Sequence, residues 1–209
     1  DPSASLAFDG TTMQALEKKA PDFAKVVKAY GYERELASEN VYTVWAPATF
    51  NVSDYLDANG KAIADSAEVV KQFIKNHVAR YTYSLNADSM NVNLMNLKHT
   101  AMTPDGYFGG AKITESNISC SNGILHIIDE AVPYNYNLFE LIAKGYKEDT
   151  CEGKDTLSLY KYLYNPEINS DSLIEDKSVS CGVNEDGEKI WIDSFVIRNN
   201  TILKTVKAL

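Results

Sequence analysis

The chain has 209 residues, of which 44% are hydrophobic and 23% are charged, proportions typical of a globular protein with its own buried core. Twenty basic residues against 29 acidic ones give a net charge of −9, which opposes binding to phosphate backbones and excludes nucleic acid as an expected partner. No window approaches the roughly 18 consecutive apolar residues of a membrane-spanning helix, so a transmembrane protein is not expected either.

The first part of the chain predicts two consecutive helices. The first begins after an N-cap at Thr11 or Thr12, and Pro21 breaks it and restarts the run at position N1 of the second. Gly31 can end the second helix in the left-handed C′ conformation. Apolar side chains recur before it at helical spacing, at Phe23, Val26, Val27 and Tyr30.

A strand and a third helix are predicted next. The β-rich apolar run at 41–46 predicts a strand buried on both faces, and Pro47 is expected to close it because proline removes a hydrogen-bond donor. Residues 65–77 predict an amphipathic helix, with Ser66 as its candidate N-cap and apolar side chains at intervals of three and four.

From Val78 onward the pattern has period two and predicts an antiparallel meander with turns at Asp105-Gly106 and Gly109-Gly110. The alternation places three side chains on one side of the first segment: Tyr81, Tyr83 and Leu85. The clearest hairpin has strands at 118–121 and 124–128, because Asn122-Gly123 favours the positive φ angles of a type I′ turn. Alternation along its second strand sends His126 to the interior.

After Pro133 the pattern changes. A short helix at 137–142 precedes polar, aperiodic residues, which predict a boundary, and a helix at 157–164 follows. Strands at 179–183 and 189–197 predict a second hairpin around Asp186-Gly187. A hairpin turn is favoured there over an EF-hand-like calcium loop, because glycine stands at the first ligand position. Residues 201–209 alternate in a β pattern, and the lack of a turn or polar tail after it predicts a truncated unit.

Residues that could carry metal or redox chemistry are few. The cysteines lie about 30 residues apart, at Cys120, Cys151 and Cys181, which is not a zinc-site spacing. Both a Cys151 to Cys181 bridge in an oxidising compartment and free thiols stay open. The three histidines lack the spacing that places two imidazoles on one helical face, so we expect no metal and no cofactor.

The sequence also lacks motifs for enzymatic chemistry. Nucleotide-binding loops and the nucleophile elbow of α/β hydrolases are missing, and no carboxylate pair can be singled out among 29, so an acid/base hydrolase is the least favoured function. Exposed members of the 13 tyrosines could stack on sugars or anchor a protein partner, although alternation favours packing. His126, mid-strand between apolar neighbours, is expected to be structural.

Two segments together resemble the signatures of the fasciclin domain. Residues 42–50, Tyr-Thr-Val-Trp-Ala-Pro-Ala-Thr-Phe, are similar to Thr-Val-Phe-Ala-Pro-Thr-Asn followed by an aromatic residue. Residues 122–133, Asn-Gly-Ile-Leu-His-Ile-Ile-Asp-Glu-Ala-Val-Pro, are similar to Asn-Gly-x-Ile-His-x-Ile-Asp-x-Val-Leu-x-Pro. The signature positions are Thr43, Val44, Trp45, Ala46, Pro47, Gly123, His126, Ile128, Asp129 and Pro133.

The resemblance implies an α+β fold, a wedge-shaped β-sandwich with helices packed along one edge. It implies a fasciclin-like domain at 8–135, a linker at 136–154, and a partial second fasciclin-like unit or C-terminal extension at 155–209. It further implies a non-catalytic extracellular module for cell adhesion or surface binding, with protein or glycan partners.

Adhesion members of the family carry a Tyr-His pair at a helix end and an Asp-Ile pair before the second signature, both proposed to bind integrin. The corresponding pairs here are Asn76-His77 and Asn117-Ile118, and the missing tyrosine and aspartate argue against integrin. With two nearby tyrosines, these residues form the candidate binding set: Asn76, His77, Asn117, Ile118, Tyr81 and Tyr83.

The acidic, Asn-rich sequence is similar to fasciclin-domain lipoproteins on the surface of Gram-negative gut bacteria, which often carry tandem copies. We therefore expect export to the cell surface, an N-terminal lipid anchor in the parent protein and a second fasciclin domain. The alternative is a glycan-binding accessory lipoprotein of a surface polysaccharide-uptake system, which would need an exposed aromatic platform.

Overall fold

The computed structural model describes residues 6–63, 67–134, 138, 140–142, 171–198, 205, 206, 208 and 209. The chain divides into two compact units, one of Asp1–Tyr134 with Val179–Asp193 and one of Asn135–Ser178 with Ser194–Leu209. Ser66, the predicted helix at 157–164 and most of the predicted linker at 136–154 lie outside the described residues. The predicted division of the chain at 135 and 155 stays a prediction.

The two predicted N-terminal helices form, and a short helix that was not predicted follows them. Helices α1 (Thr12–Lys19), α2 (Pro21–Ala29) and α3 (Glu33–Leu36) follow one another closely. Thr11 is the N-cap of α1 in a capping box, in which its hydroxyl accepts from the Gln14 N–H and its own N–H donates to Gln14 Oε1. Pro21 stands at N1 of α2, and Gly31 has a φ of 82° beyond its end.

A single mixed sheet of eight strands carries the first unit, which confirms the α+β class. The strands are β1 (Leu6–Ala7), β2 (Tyr42–Thr49), β3 (Val78–Arg80), β4 (Met90–Asn93), β5 (His99–Thr103), β6 (Tyr107–Phe108), β7 (Ala111–Cys120) and β8 (Gly123–Glu130). Their order in the sheet is β3-β2-β8-β7-β6-β5-β4, β2 pairs with β8 in parallel, and β1 pairs with β7 in parallel. Helix α4 (Ala67–Lys75) precedes β3.

Both faces of this sheet are buried around β2, as predicted. On one face Val44 belongs to a cluster with the helices, including Leu16, Phe23 and Leu125. On the other face Trp45 belongs to a second cluster, which includes Phe108, Met102 and Ile128. Because successive side chains of a strand point to opposite faces, the run at 42–47 supplies both cores.

The prediction that Pro47 ends the strand is wrong, because β2 continues to Thr49 and Pro47 pairs with Ile128 of β8. The Trp45 N–H donates to the His77 carbonyl on the β3 side at 2.9 Å. The N atom of Pro47, two residues on, faces the same side, where the pairing with β3 has already ended at Val44. The missing donor therefore disrupts no ladder bond.

The predicted hairpin exists, but the prediction of a type I′ turn at Asn122-Gly123 is wrong. Ser121 and Asn122 form the turn, Gly123 already pairs with Cys120, and Asn122 does not have a positive φ. Gly123 has a φ of 154°, and a Cβ there would lie 1.9 Å from the Tyr42 carbonyl oxygen. Glycine is required for this close approach of β8 to β2.

The predicted strand through Tyr81, Tyr83 and Leu85 is also wrong. Strand β3 ends at Arg80, Tyr81 has a φ of 68°, and Leu85 is buried whereas Tyr81 is exposed. The glycine turns of the meander are confirmed, with positive φ at Gly106, Gly109 and Gly110.

The C-terminal hairpin has strands β10 (Val179–Val183) and β11 (Lys189–Asp193), preceded by β9 (Asp171–Leu173) and followed by β12 (Val196–Arg198). The predicted single strand at 189–197 is wrong, since β12 pairs with β9 instead. Asn184 Oδ1 accepts from the Asp186 and Glu188 amides, so the loop is a closed hairpin turn. Residues 205, 206 and 208 are helical and do not continue a β pattern.

Candidate functional site

The segment 81–85 after β3, here called the tyrosine loop, carries two of the candidate binding residues. The Tyr81 side chain is 60% exposed, although its left-handed φ of 68° is uncommon for a bulky residue. The Tyr81 N–H donates to the Val41 carbonyl at 2.8 Å, which holds this conformation. Tyr83 is half-buried, and its ring centroid lies 6.1 Å from that of Trp45.

Thr43, fully buried in β2, fastens the loop through its hydroxyl. Its Oγ1 donates to the Tyr81 carbonyl at 2.7 Å and accepts from the Tyr83 N–H at 2.9 Å. One hydroxyl therefore replaces the strand pairing that ends at Arg80.

His126 and Asn117 hold the rest of the loop from β8 and β7. His126 Nδ1 accepts from the Asn117 N–H at 3.1 Å, so its Nε2–H donates to the Tyr83 carbonyl at 2.8 Å. The Asn117 side chain accepts from the Leu85 N–H at 2.8 Å and donates to the Leu85 carbonyl at 2.9 Å. Asn117 has a φ of 54° within an irregular stretch of β7, which aims its amide at the loop.

The His126 ring packs on an aromatic stack inside the sheet core. Its ring lies 5.5 Å from Trp45 at an interplanar angle of 17°, and Trp45 stacks on Phe108 at 4.3 Å and 5°. Offset and parallel aromatic contacts of this kind add stability beyond the area they bury. The imidazole orientation, and with it the Tyr83 carbonyl, is thereby fixed.

Asn76 and His77 form a second buried polar set at the end of α4. His77 Nε2 accepts from the Val132 N–H at 3.0 Å, so its Nδ1–H donates to the Phe73 carbonyl at 2.9 Å. Asn76 donates to the Val132 carbonyl at 3.3 Å and accepts from Asn96 at 3.1 Å. This set fixes the chain leaving β8 against α4.

The six candidate binding residues thus fall into two groups. Tyr81 is exposed and Tyr83 is half-buried, while Asn76, His77, Asn117 and Ile118 are each at most 5% exposed. Their role in binding stays a prediction. Thr82 and Ser84, exposed on the same loop, were not predicted, because alternation was assigned to a strand that does not form.

The signature residues mostly build the core. Most of them are buried in the sheet: Thr43, Val44, Trp45, Ala46, Pro47, Gly123, His126 and Ile128. Asp129 and Pro133 are exposed. Asp129 Oδ1 accepts from the Lys112 N–H at 2.8 Å and its carbonyl accepts from the Thr49 hydroxyl at 2.8 Å, so it ties β8 to β7 and β2.

Burial lowers the pKa of both His77 and His126 to about 4, so both rings are neutral at pH 7 with both nitrogens hydrogen-bonded inside the protein. Within the ranges that the structure describes, no three His, Cys, Asp or Glu side chains are grouped as a metal site. Cys120 and Cys181 are free thiols, and Cys151 lies outside the described residues.

The two buried imidazoles predict a loss of stability in mild acid. Each has a folded-state pKa of about 4 against 6.5, so the unfolded chain binds more protons between these values and stability falls as pH drops through them. From pH 7 to pH 5 the loss is about 2 kcal/mol per histidine. Denaturant unfolding should show that His126→Gln has a lower free energy of unfolding than the wild type at pH 7. Between pH 7 and pH 5, however, the variant should lose about 2 kcal/mol less than the wild type, because it lacks one buried imidazole.

His99→Gln is the matched control, because His99 is exposed on β5, and we expect it to leave the free energy of unfolding at pH 7 within about 0.5 kcal/mol. An unchanged pH dependence in His126→Gln would contradict the assignment of a neutral buried ring.

The chain matches the model of a known protein family. The family model of the fasciclin domain matches residues 18–133, more than half of the chain. No curated protein matches the chain. No helix in the described ranges is long and apolar enough to cross a membrane.

Proposed function

The chain belongs to the fasciclin domain family, and we propose that it is a surface-binding module that contacts a protein or glycan partner through the tyrosine loop. Fasciclin domains are generally non-catalytic adhesion modules and are typically extracellular or surface-associated. The observation that carries the proposal is the exposed Tyr81 ring on a backbone held by buried hydrogen bonds.

An exposed tyrosine on a fixed backbone is suited to binding. Tyrosine offers a large contact area with an apolar face and a polar tip, and it is enriched among the residues that dominate binding energy. Holding the loop in one conformation before binding reduces the entropy that binding must offset. The hydrogen bonds of Thr43, His126 and Asn117 supply this preorganisation.

The same ring supports the glycan alternative, since sugars stack on exposed aromatic faces. We further propose that the module is displayed at the outer surface of the cell by a lipid anchor in the parent protein, as the similarity to surface lipoproteins implies. A second fasciclin domain in that protein would add valency.

The experiment compares Tyr81→Asn with Tyr107→Asn in binding to glycan arrays and to immobilised cell-surface protein. Asparagine removes the ring but tolerates the left-handed φ at position 81, so folding should be retained. Tyr107 is 41% exposed on β6 and is the matched control. We expect Tyr81→Asn to lose roughly 10-fold or more in affinity with an unchanged Tm, while Tyr107→Asn binds normally.

Binding to the glycan array or to the immobilised protein identifies whether the partner is a glycan or a protein. Equal binding by the wild type and Tyr81→Asn would overturn the role of the loop, and failure of the wild type to bind either surface would overturn the proposed function.

A further inference from the structure

A carboxyl group without a hydrogen-bond partner lies inside the first unit. Glu35 of α3 is 1% exposed, and neither of its carboxyl oxygens has a hydrogen-bond partner among the described residues. It lines a small cavity together with Tyr32, Leu36, Ile74, Lys75, Val78 and Met95. A buried ionised carboxylate without partners is costly, so the neutral form is favoured at this position.

A second buried carboxyl comes from the C-terminal hairpin, whose strands β10 and β11 span Val179–Asp193. Asp193 is 4% exposed, pairs with the Arg80 guanidinium and accepts from the Tyr42 hydroxyl at 2.8 Å. The neighbouring Ile192 approaches α2, since a Cβ on Gly31 would lie 3.3 Å from Ile192 Cδ1. Asp193 is therefore the buried polar contact that holds the hairpin to β2 and β3.

Titratable groups on four other elements act on Glu35. Asp193 on β11 opposes its ionisation, whereas Lys75 on α4 and Arg80 on β3 favour it. Tyr42 on β2 is a neutral neighbour whose own pKa is raised by burial and by both carboxyls. Burial is the largest effect and, with Asp193, raises the pKa of Glu35 well above its usual value of 4.5.

We propose that the hairpin Val179–Asp193 is a pH-responsive clasp, closed while Glu35 holds a proton and opened when the Glu35 carboxyl ionises. Helix α3 packs against β10 of the hairpin, and ionisation of Glu35 adds a negative charge that Asp193 repels while the Arg80 guanidinium is already paired with Asp193. Opening removes the Asp193 carboxylate and admits water to Glu35. The proposal concerns the stability of this contact and does not depend on the proposed partner of the tyrosine loop.

The hairpin is the element that can open at the lowest cost in free energy. Its outer residues bury little, since Val183 is 63% and Ile190 is 47% exposed, and its strands pair only with each other among the described residues. In contrast, α3 follows α2 and precedes β2 in the chain, and both of these elements contribute to the main core. Local opening of such an element precedes global unfolding.

The direction of the pH response follows from the raised pKa. Because the closed state binds the Glu35 proton more tightly than the open state, closure weakens as pH rises above about 4.5, by at most about tenfold per pH unit. This direction is opposite to that of the buried histidines, which weaken the whole domain as pH falls.

The test is amide hydrogen exchange of the whole chain at pH 5 and pH 8, expressed as protection factors so that the intrinsic pH dependence of exchange cancels. Residues 179–193 report on the hairpin, and residues 123–130 of β8 report on the whole domain, whose protection should rise from pH 5 to pH 8 because of the buried histidines. In the wild type we expect the protection factors of the hairpin itself to fall at least tenfold from pH 5 to pH 8. Glu35→Gln, an uncharged isostere, should keep the hairpin protected within about threefold.

Glu33→Gln is the matched control, because Glu33 is exposed on the same helix, and it should behave like the wild type. No fall in the wild type, or an equal fall in Glu35→Gln, would overturn the proposal. If Glu35→Gln does not fold, carbon-13 NMR of glutamate carboxyls in the wild type decides. One carboxyl must have a pKa well above 4.5 and the same midpoint as the hairpin amides, and uniform titration of all glutamates near 4.5 would overturn the clasp.

Discussion

Replacement of Val44 by aspartate is expected to abolish folding. Val44 is fully buried, pairs with Val78 of β3 and Leu125 of β8, and faces the cluster formed with the helices. A carboxylate there would be buried without a partner, which costs several kcal/mol against a total stability of about 5–15 kcal/mol. Circular dichroism and thermal unfolding should show no cooperative transition in Val44→Asp.

Val41→Asp is the matched control for this change. Val41 precedes β2 and is 41% exposed, so the same substitution places a carboxylate in water. We expect Val41→Asp to fold with a free energy of unfolding within about 0.5 kcal/mol of the wild type. A cooperatively folded Val44→Asp protein would contradict the central position of this strand.

Asn122→Ala is expected to destabilise the domain by roughly 4 kcal/mol, because one side chain joins three elements that are distant in sequence. Its Oδ1 accepts from the N–H and hydroxyl of Thr12 at 2.7 and 2.9 Å. Its Nδ2 donates to the carbonyls of Leu36 and Ser38 at 2.8 and 2.9 Å. Alanine leaves these groups unpaired in a site that is mostly buried, at about 1–3 kcal/mol for each lost partner.

Denaturant unfolding measures this effect, with Ser121→Ala as the control because Ser121 is the exposed neighbour in the same turn. Asn122→Asp keeps the acceptor for Thr12 but loses both donors, so it should also be destabilised. A loss below about 1 kcal/mol in Asn122→Ala would show that water replaces these bonds.

The candidate site could be predicted only in part. The resemblance pointed to Asn76, His77, Asn117 and Ile118, all of which the structure buries. The tyrosine-rich sequence added Tyr81 and Tyr83, and the structure places Tyr81 on the surface. The left-handed φ of Tyr81 has no local sequence signal, because glycine or asparagine would be expected there. Glu35 and Asp193 were missed, since in sequence they are two of 29 acidic residues.

The sequence by itself determined the features that neighbouring residues decide. The Thr11 cap, the restart at Pro21, the left-handed Gly31 just after α2 and the interior position of His126 follow from side-chain geometry and periodicity within a few residues. The two signature segments likewise sufficed for the α+β class and the family.

Only the tertiary structure decided where those elements meet. Pro47 is tolerated because β3 has ended beside it, Gly123 is needed because the Tyr42 carbonyl approaches it, and Asn122 bonds to Thr12 across 110 residues. The same holds for Asp193, whose partners lie on β2 and β3. Each of these depends on backbone groups brought together from distant parts of the chain, and such contacts leave no periodicity in the local sequence.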